Sequence, residues 1–389
     1  MTTAVEVHGT CDSRFERVRA AFTSNFEGGR EVGASLAIMI DGELVVDIWG
    51  GYTDAARTQP WERDTIACAY STTKGIVATC ANRLIDQGRL DVDAPVASYW
   101  PEFAQAGKEN IPVRYLLTHQ AGLPAITEVL PPGAIFRWDT MIDALARQEP
   151  WWTPGTKHGY HALTFGYLVG EVIRRVAGKT VGQYFRDEIA VPLGIDFHVG
   201  LRPEDEQRVA EMIPAPLETG HDTVLSKAMM DPTSMSFKAF VLSSDMMMPG
   251  LANSPEWRRA EIPAANGHGN ARALARLYGA LACGGAIDGV RILSPEAIER
   301  ATLEQANGSD AVLLIIPMRV GLGFMLTSPD IPYGPNPRSF GHAGMGGSLG
   351  FADPDAGLGF GYVMNKMVLP ENLDDPRLRA LVDAVYECL

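Results

Sequence analysis

The chain has 389 residues, of which 46% are hydrophobic and 21% charged, and its formal net charge is -14. That composition belongs to a globular protein with a sizeable core, long enough for one large domain or two intimately packed regions, and it excludes disordered and fibrous classes. The acidic excess would repel a polyanionic backbone, so neither nucleic acid nor an anionic membrane surface is an expected partner.

Residues 1–17 mix charges without the apolar core of a secretory signal, and no later stretch is uncharged and apolar over the roughly 18 residues a membrane span needs. A cytoplasmic protein is the expectation. Five scattered cysteines (Cys11, Cys68, Cys80, Cys283 and Cys388) form no C-x-x-C pair, which argues against a disulfide framework and against a zinc site. Cys68, three residues before Ser71, reads as a packed thiol among apolar neighbours.

In chain order, Phe15, Val18, Ala21 and Phe22 fall at helical spacing and predict a helix over 12–27. Apolar runs at 34–40 and 43–49 flank Asp41-Gly42, a dipeptide suited to a tight hairpin turn. From about 72 to 230 the pattern is helical, broken by Pro and Gly, with segments at 163–176 and 181–189. Strand signals return around 291–293, 321–326, 347–352 and 358–364, and a last helix is predicted over 376–388. Strands at both ends around a helical middle predict an α/β (α+β) architecture. Residues 1–75 and 231–389 would build an antiparallel sheet flanked by helices, residues 76–230 a mainly helical region, and a cleft would lie between them. Met246-Met247-Met248-Pro249-Gly250 reads as an apolar loop.

Ser71-Thr72-Thr73-Lys74 heads a segment in which Ile76, Val77, Cys80, Ala81, Leu84 and Ile85 share one helical face. Ser71 is therefore expected at a helix N-terminus, its backbone N–H free for a developing oxyanion, with Lys74 over the same face one turn later. Lysine can accept the serine proton only when neutral, which calls for a desolvated setting. The three-residue spacing is weak by itself, because such pairs arise by chance and a bland reading makes Ser71 a helix cap.

Two more stretches add to it. Tyr160 follows the turn-rich residues 153–159 and precedes a helix, so its phenol is a candidate proton relay, best served by a positive neighbour that lowers its pKa. Gly341-His342-Ala343-Gly344-Met345 predicts a glycine-rich edge strand that offers the Met345 N–H as a second oxyanion donor, with His342 and Gly344 lining the pocket. Trp151 and Trp152 are candidates for an apolar substrate wall. Gly346-Gly347-Ser348-Leu349-Gly350 matches the nucleophile elbow G-x-S-x-G, but a strand follows it instead of a helix and no histidine occurs after His342, so Ser348 is set aside.

These motifs resemble those of the serine β-lactamase and penicillin-binding-protein superfamily, most closely its family VIII carboxylesterases. Ser71-Thr72-Thr73-Lys74 is similar to the first motif, Tyr160 to the tyrosine of the second and His342-Ala343-Gly344 to an H-x-G form of the third. Further similar stretches run from Leu116 to Leu123, at Pro154-Gly155-Thr156, from Asn270 to Tyr278 and from Gly350 to Pro354. The resemblance implies a β-lactamase-like fold and an acyl-serine mechanism on a small ester, with Ser71, Lys74 and Tyr160 catalytic, no metal and no cofactor. It implies a structural His119. Two departures, His161-Ala162 where β-lactamases carry x-Asn and His342 in place of a lysine, argue against efficient antibiotic hydrolysis. β-Lactamase or D-amino-acid peptidase activity, acyl transfer, a non-catalytic binding role and a homo-oligomer stay open as alternatives.

Overall fold

The computed structural model describes residues 5–215, 224–242, 248, 250–314, 317–369 and 374–389; Met246, Met247 and Pro249 lie outside the described residues. Residues 33–51 form the hairpin the alternation predicts, β2 (Gly33–Ile40) and β3 (Glu43–Gly51), turning at Asp41 (φ 49°) and Gly42 (φ 85°). Both positive φ values fit a two-residue turn that follows the strand twist. A strand the sequence did not signal, β1 (Val7–Cys11), pairs with β3. Its central residues His8, Gly9 and Thr10 are exposed, so it carries no apolar alternation by which to be recognised.

The rest of the main sheet comes from the far end of the chain: β4 (Ala306–Ser309), β5 (Pro317–Val320), β6 (Met325–Leu326), β7 (Phe340–Ala343), β8 (Leu349–Asp353) and β9 (Leu358–Met364). The nine strands run antiparallel in the order β1-β3-β2-β9-β8-β7-β6-β5-β4. The seam between the two chain ends is β2 on β9, from Ala34 opposite Met364 to Ile40 opposite Leu358. Two expectations need correction. The strand at 291–293 is only the second arm of a separate hairpin, Ala286–Ile287 with Val290–Arg291, and Ile292 and Leu293 leave it as buried bend residues. The strand carrying His342 is not an edge strand, because β6, β5 and β4 lie beyond it.

The helices used below are α1 (Glu16–Glu27), α2 (Thr73–Asp86), α3 (Trp138–Arg147), α4 (Thr164–Ala177), α5 (Ala271–Ala282), α6 (Pro295–Thr302) and α7 (Pro376–Tyr386). Helix α5 lies on β9, β2 and β8. Glycine makes that contact possible: a Cβ on Gly359 would stand 2.2 Å from the Gly279 nitrogen, and one on Gly361 2.1 Å from the Ala271 carbonyl oxygen. The alternate residues of β9 face the other way, where the Tyr362 hydroxyl bonds Glu31 and Arg377 of α7 pairs with Glu31 at 3.0 Å. Helix α2 is buried along nearly its whole length and touches α4, α6 and β7. Because these neighbours enclose it, even its polar Thr73, Thr79 and Asn82 are buried, and α2 carries Lys74 into the interior where the helical segments meet the sheet.

Candidate active site

Ser71 sits in a turn whose approach is fixed by a small three-stranded sheet, in which Ala67–Cys68 pairs with His268–Gly269 and that in turn with Phe197–His198. The Ala69 N–H continues the pairing onto the Gly267 carbonyl at 2.8 Å. Tyr70 then takes φ 42°, a left-handed conformation that costs a non-glycine residue on the order of 1 kcal/mol. Its ring leans on Trp257 with centroids 6.3 Å apart. Thr73 clamps the turn: its hydroxyl donates to the Tyr70 carbonyl (2.6 Å) and accepts from the Gly267 N–H (2.9 Å). The N–H groups of Thr72, Thr73 and Lys74 bond to the carbonyls of Ala69, Tyr70 and Ser71 at 3.1, 3.0 and 2.9 Å. That series leaves out the Ser71 N–H, which lies two residues before α2 begins rather than inside it.

Lys74 is fully buried, its Nζ 3.1 Å from Ser71 Oγ, 2.8 Å from the Ala162 carbonyl oxygen and 2.9 Å from that of Ala264. As an ammonium it donates to all three. As a neutral amine its two N–H groups serve the carbonyls and its lone pair is left to accept the Ser71 O–H. Among the described residues no carboxylate pairs with it, and burial holds its pKa well below the usual lysine range. Gly166 makes one of these contacts possible, since a Cβ there would lie 2.5 Å from the Ala264 nitrogen and push that segment off the lysine.

Tyr160 flanks this pair, its ring centroid 4.7 Å from Lys74 Nζ and 5.1 Å from the His119 ring, with Ser71 near enough to lower the phenol pKa in part. Burial pushes its phenol pKa up, opposite to the lowering expected from a cationic neighbour. The reason is the same desolvation that favours an uncharged Lys74.

The histidines around this pair are buried and neutral. His342 donates from Nδ1 to the Ala343 carbonyl (2.7 Å), which leaves Nε2 a lone-pair acceptor without a partner among the described residues, and burial together with Lys74 brings it down to about 3. His161 donates from Nδ1 to the Gly159 carbonyl (2.6 Å) and accepts the Leu123 N–H at Nε2 (3.0 Å), with burial bringing it to about 4. His119 accepts the His161 N–H at Nδ1 (3.2 Å) and lies buried against Tyr160 and Phe165.

Met345 follows β7 in a turn, and its N–H forms no backbone hydrogen bond among the described residues. A Cβ on Gly344 would meet Ser348 Oγ at 2.1 Å and the Ala69 carbonyl oxygen at 2.3 Å, so protein atoms use the room this glycine leaves. Ser348 is fully buried, donating to the Ala69 carbonyl (2.7 Å) and sharing a hydrogen bond with Thr72 Oγ1 (2.9 Å). It buttresses the turn that carries Ser71. Trp151 is half-buried with its indole N–H on the Ala125 carbonyl (3.0 Å), while Trp152 is buried edge-on to His161 at 6.0 Å. Cys68 is buried with its thiol pushed up to about 11 by burial, which makes it inert. Asp310, which no motif pointed to, accepts the Tyr160 backbone N–H at 3.0 Å.

The Beta-lactamase family model matches residues 18–384 of the chain. A curated relative, the Esterase/beta-lactamase LipL of Mycobacterium tuberculosis, is 40% identical over 95% of this chain and 85% of its own length. The crystal structure of a family VIII carboxylesterase superposes with a TM-score of 0.90 at 44% identity, over 99% of this chain and 100% of that one. A penicillin-binding-protein homologue from Caulobacter crescentus gives 0.88 at 42% identity over the same 99% and 100%. The chain belongs to the β-lactamase family.

Proposed function

We propose that this protein is a serine carboxylesterase that hydrolyses small or short-chain esters through an acyl-Ser71 intermediate. The observation that carries the reading is the setting of Lys74, buried with no counter-ion among the described residues, bonded to two carbonyls and to the Ser71 hydroxyl at 3.1 Å. Desolvation supplies the neutral amine that a lysine base requires. Lys74 takes the Ser71 proton as Oγ attacks the ester carbon, and the N–H groups of Ser71 and Met345 receive the oxyanion. Tyr160 passes its phenolic proton to the departing alkoxide and is reprotonated from the Lys74 ammonium. Water then repeats the sequence on the acyl-enzyme. Because burial makes the phenol a weaker acid, Lys74 is the base and Tyr160 the relay.

Substrates without a free carboxylate suit the third-motif position, where burial keeps His342 uncharged; Trp151 and Trp152, faced by Lys238 at 4.8 Å and Lys157 at 5.3 Å, would form the wall beside it. The relatives support the reaction class: one is named a family VIII carboxylesterase and another an esterase and β-lactamase. A cytoplasmic setting fits the five unpaired thiols, and no helix among the described residues is long and apolar enough to cross a membrane. The test is turnover of 4-nitrophenyl esters from acetate to decanoate beside nitrocefin, with fluorophosphonate labelling read by mass. Expected are ester turnover greatest at short chains, one label on Ser71 and loss of both in Ser71→Ala. Full activity in Ser71→Ala would sink the assignment, and nitrocefin turnover matching the best ester would replace it with a β-lactamase.

A further inference from the structure

Asp310 lies just after β4 and is almost completely buried. Its Oδ1 accepts three backbone N–H groups, those of Val312 and Leu313 at 2.8 Å and that of Tyr160 at 3.0 Å. The first two close its own turn. The third reaches across the fold to the segment that presents the phenol to Ser71. A second bond ties the same two segments, from the Ala311 N–H to the His158 carbonyl at 3.1 Å. Gly159, between them, fits only without a side chain, because a Cβ there would come within 3.2 Å of the Ala311 Cβ and 2.7 Å of Trp152.

Asp310 is an expensive choice for a clamp. Among the described residues its Oδ2 has no hydrogen-bond partner, and the nearest basic group, His158 Nε2 at 4.0 Å, is equally unpartnered. A buried carboxylate left half-satisfied lowers stability, and a serine at 310 would still close the local turn with its hydroxyl. What serine lacks is the reach to Tyr160. We infer that Asp310 is a positioning residue of the proton relay, holding the Tyr160 main chain so that the phenol stays on Ser71 while it protonates the leaving group. Asp310 exchanges no proton itself: the proton leaves Tyr160 for the alkoxide and returns from Lys74, as in the esterase reading on which this inference rests.

The test compares two butyrate esters that form the same acyl-enzyme, 4-nitrophenyl butyrate, whose leaving group departs as a stable anion, and ethyl butyrate, whose alkoxide must be protonated. In Asp310→Ser the kcat/KM is expected to fall about 30-fold or more on the ethyl ester and under about 5-fold on the nitrophenyl ester, the signature of a disturbed general acid. Asp310→Asn, which keeps the acceptor and the reach, is expected to stay within about 3-fold of wild type on both. In a Tyr160→Phe background Asp310→Ser is expected to cost less than about 3-fold more, because two residues acting through one relay are not additive. Equal losses on the two esters, or an undiminished loss in the Tyr160→Phe background, overturn the proposal. If the serine variant does not fold, as judged by circular dichroism, Asp310→Thr, which also keeps a turn-closing hydroxyl and lacks the reach, decides in both backgrounds: a loss confined to the ethyl ester and abolished by Tyr160→Phe supports the role, and an equal loss on both esters overturns it. Failure of the esterase reading is separate and would show as wild-type turnover that Ser71→Ala does not remove.

Discussion

Two lysines of this protein are fully buried, and they are built almost alike. Lys108 donates to the carbonyls of Gln105, Ala146 and Gln148 at 2.9, 2.9 and 2.6 Å and sits 5.2 Å from the centre of the Phe103 ring. Lys74 has two carbonyls, the Ser71 hydroxyl and the Tyr160 ring. Three carbonyls satisfy an ammonium and nothing else, so Lys108 ties its own turn to the segment at 146–148, and burial lowers it only to about 8, still mostly charged at neutral pH. Exchanging one carbonyl for a hydroxyl, and phenylalanine for tyrosine, replaces inert partners by two that carry mobile protons. Burial alone therefore does not make a lysine a base; the identity of its third partner does.

The comparison can be broken or sharpened by experiment. Lys74→Met and Lys74→Arg are each expected to lower kcat on 4-nitrophenyl butyrate by about 10⁴-fold, since neither can accept a proton at neutral pH. Tyr160→Phe is expected to lower kcat/KM on ethyl butyrate by about 10²-fold or more, measured by titrating released acid. The pH profile should have one sign: Lys74 works as the neutral amine above its depressed pKa, so kcat/KM is flat there and drops about tenfold per pH unit as acid protonates it. Lys108→Met should leave the activity of folded enzyme within about 2-fold, yet cost on the order of 3 kcal/mol in urea unfolding, because three buried carbonyls lose their donor. A Lys108 variant that lost turnover while fully folded would erase the distinction.

What the sequence discloses of all this follows residue patterns. The hairpin at 33–51 and strands β8 and β9 alternate or carry long apolar runs, which is why they can be read, whereas β1 is short, exposed and unpatterned. The proximity of Ser71 and Lys74 is legible because residues three apart share a helical face. The carbonyls of Ala162 and Ala264 are not, since any residue supplies a carbonyl and only the fold brings these two to Nζ. The shift at Tyr160 is misread from sequence because its direction depends on whether the neighbouring lysine is charged, which burial decides. Asp310 gives no signal at all, being one acid in a turn 150 residues from its partner.

The seam between β2 and β9 also imposes an order in time. Ala34 cannot pair with Met364, nor can the Ser348 hydroxyl brace the Ala69 carbonyl beside the nucleophile, until synthesis has passed residues 348 and 364. Contacts this distant along the chain form late and slowly. The enzyme is thus silent while it is being made: chains ending before Ser348 are expected to show no ester turnover, measured on purified truncations, although Ser71, Lys74 and Tyr160 are all present in them. Activity arrives with the last strands, as a property of the finished chain.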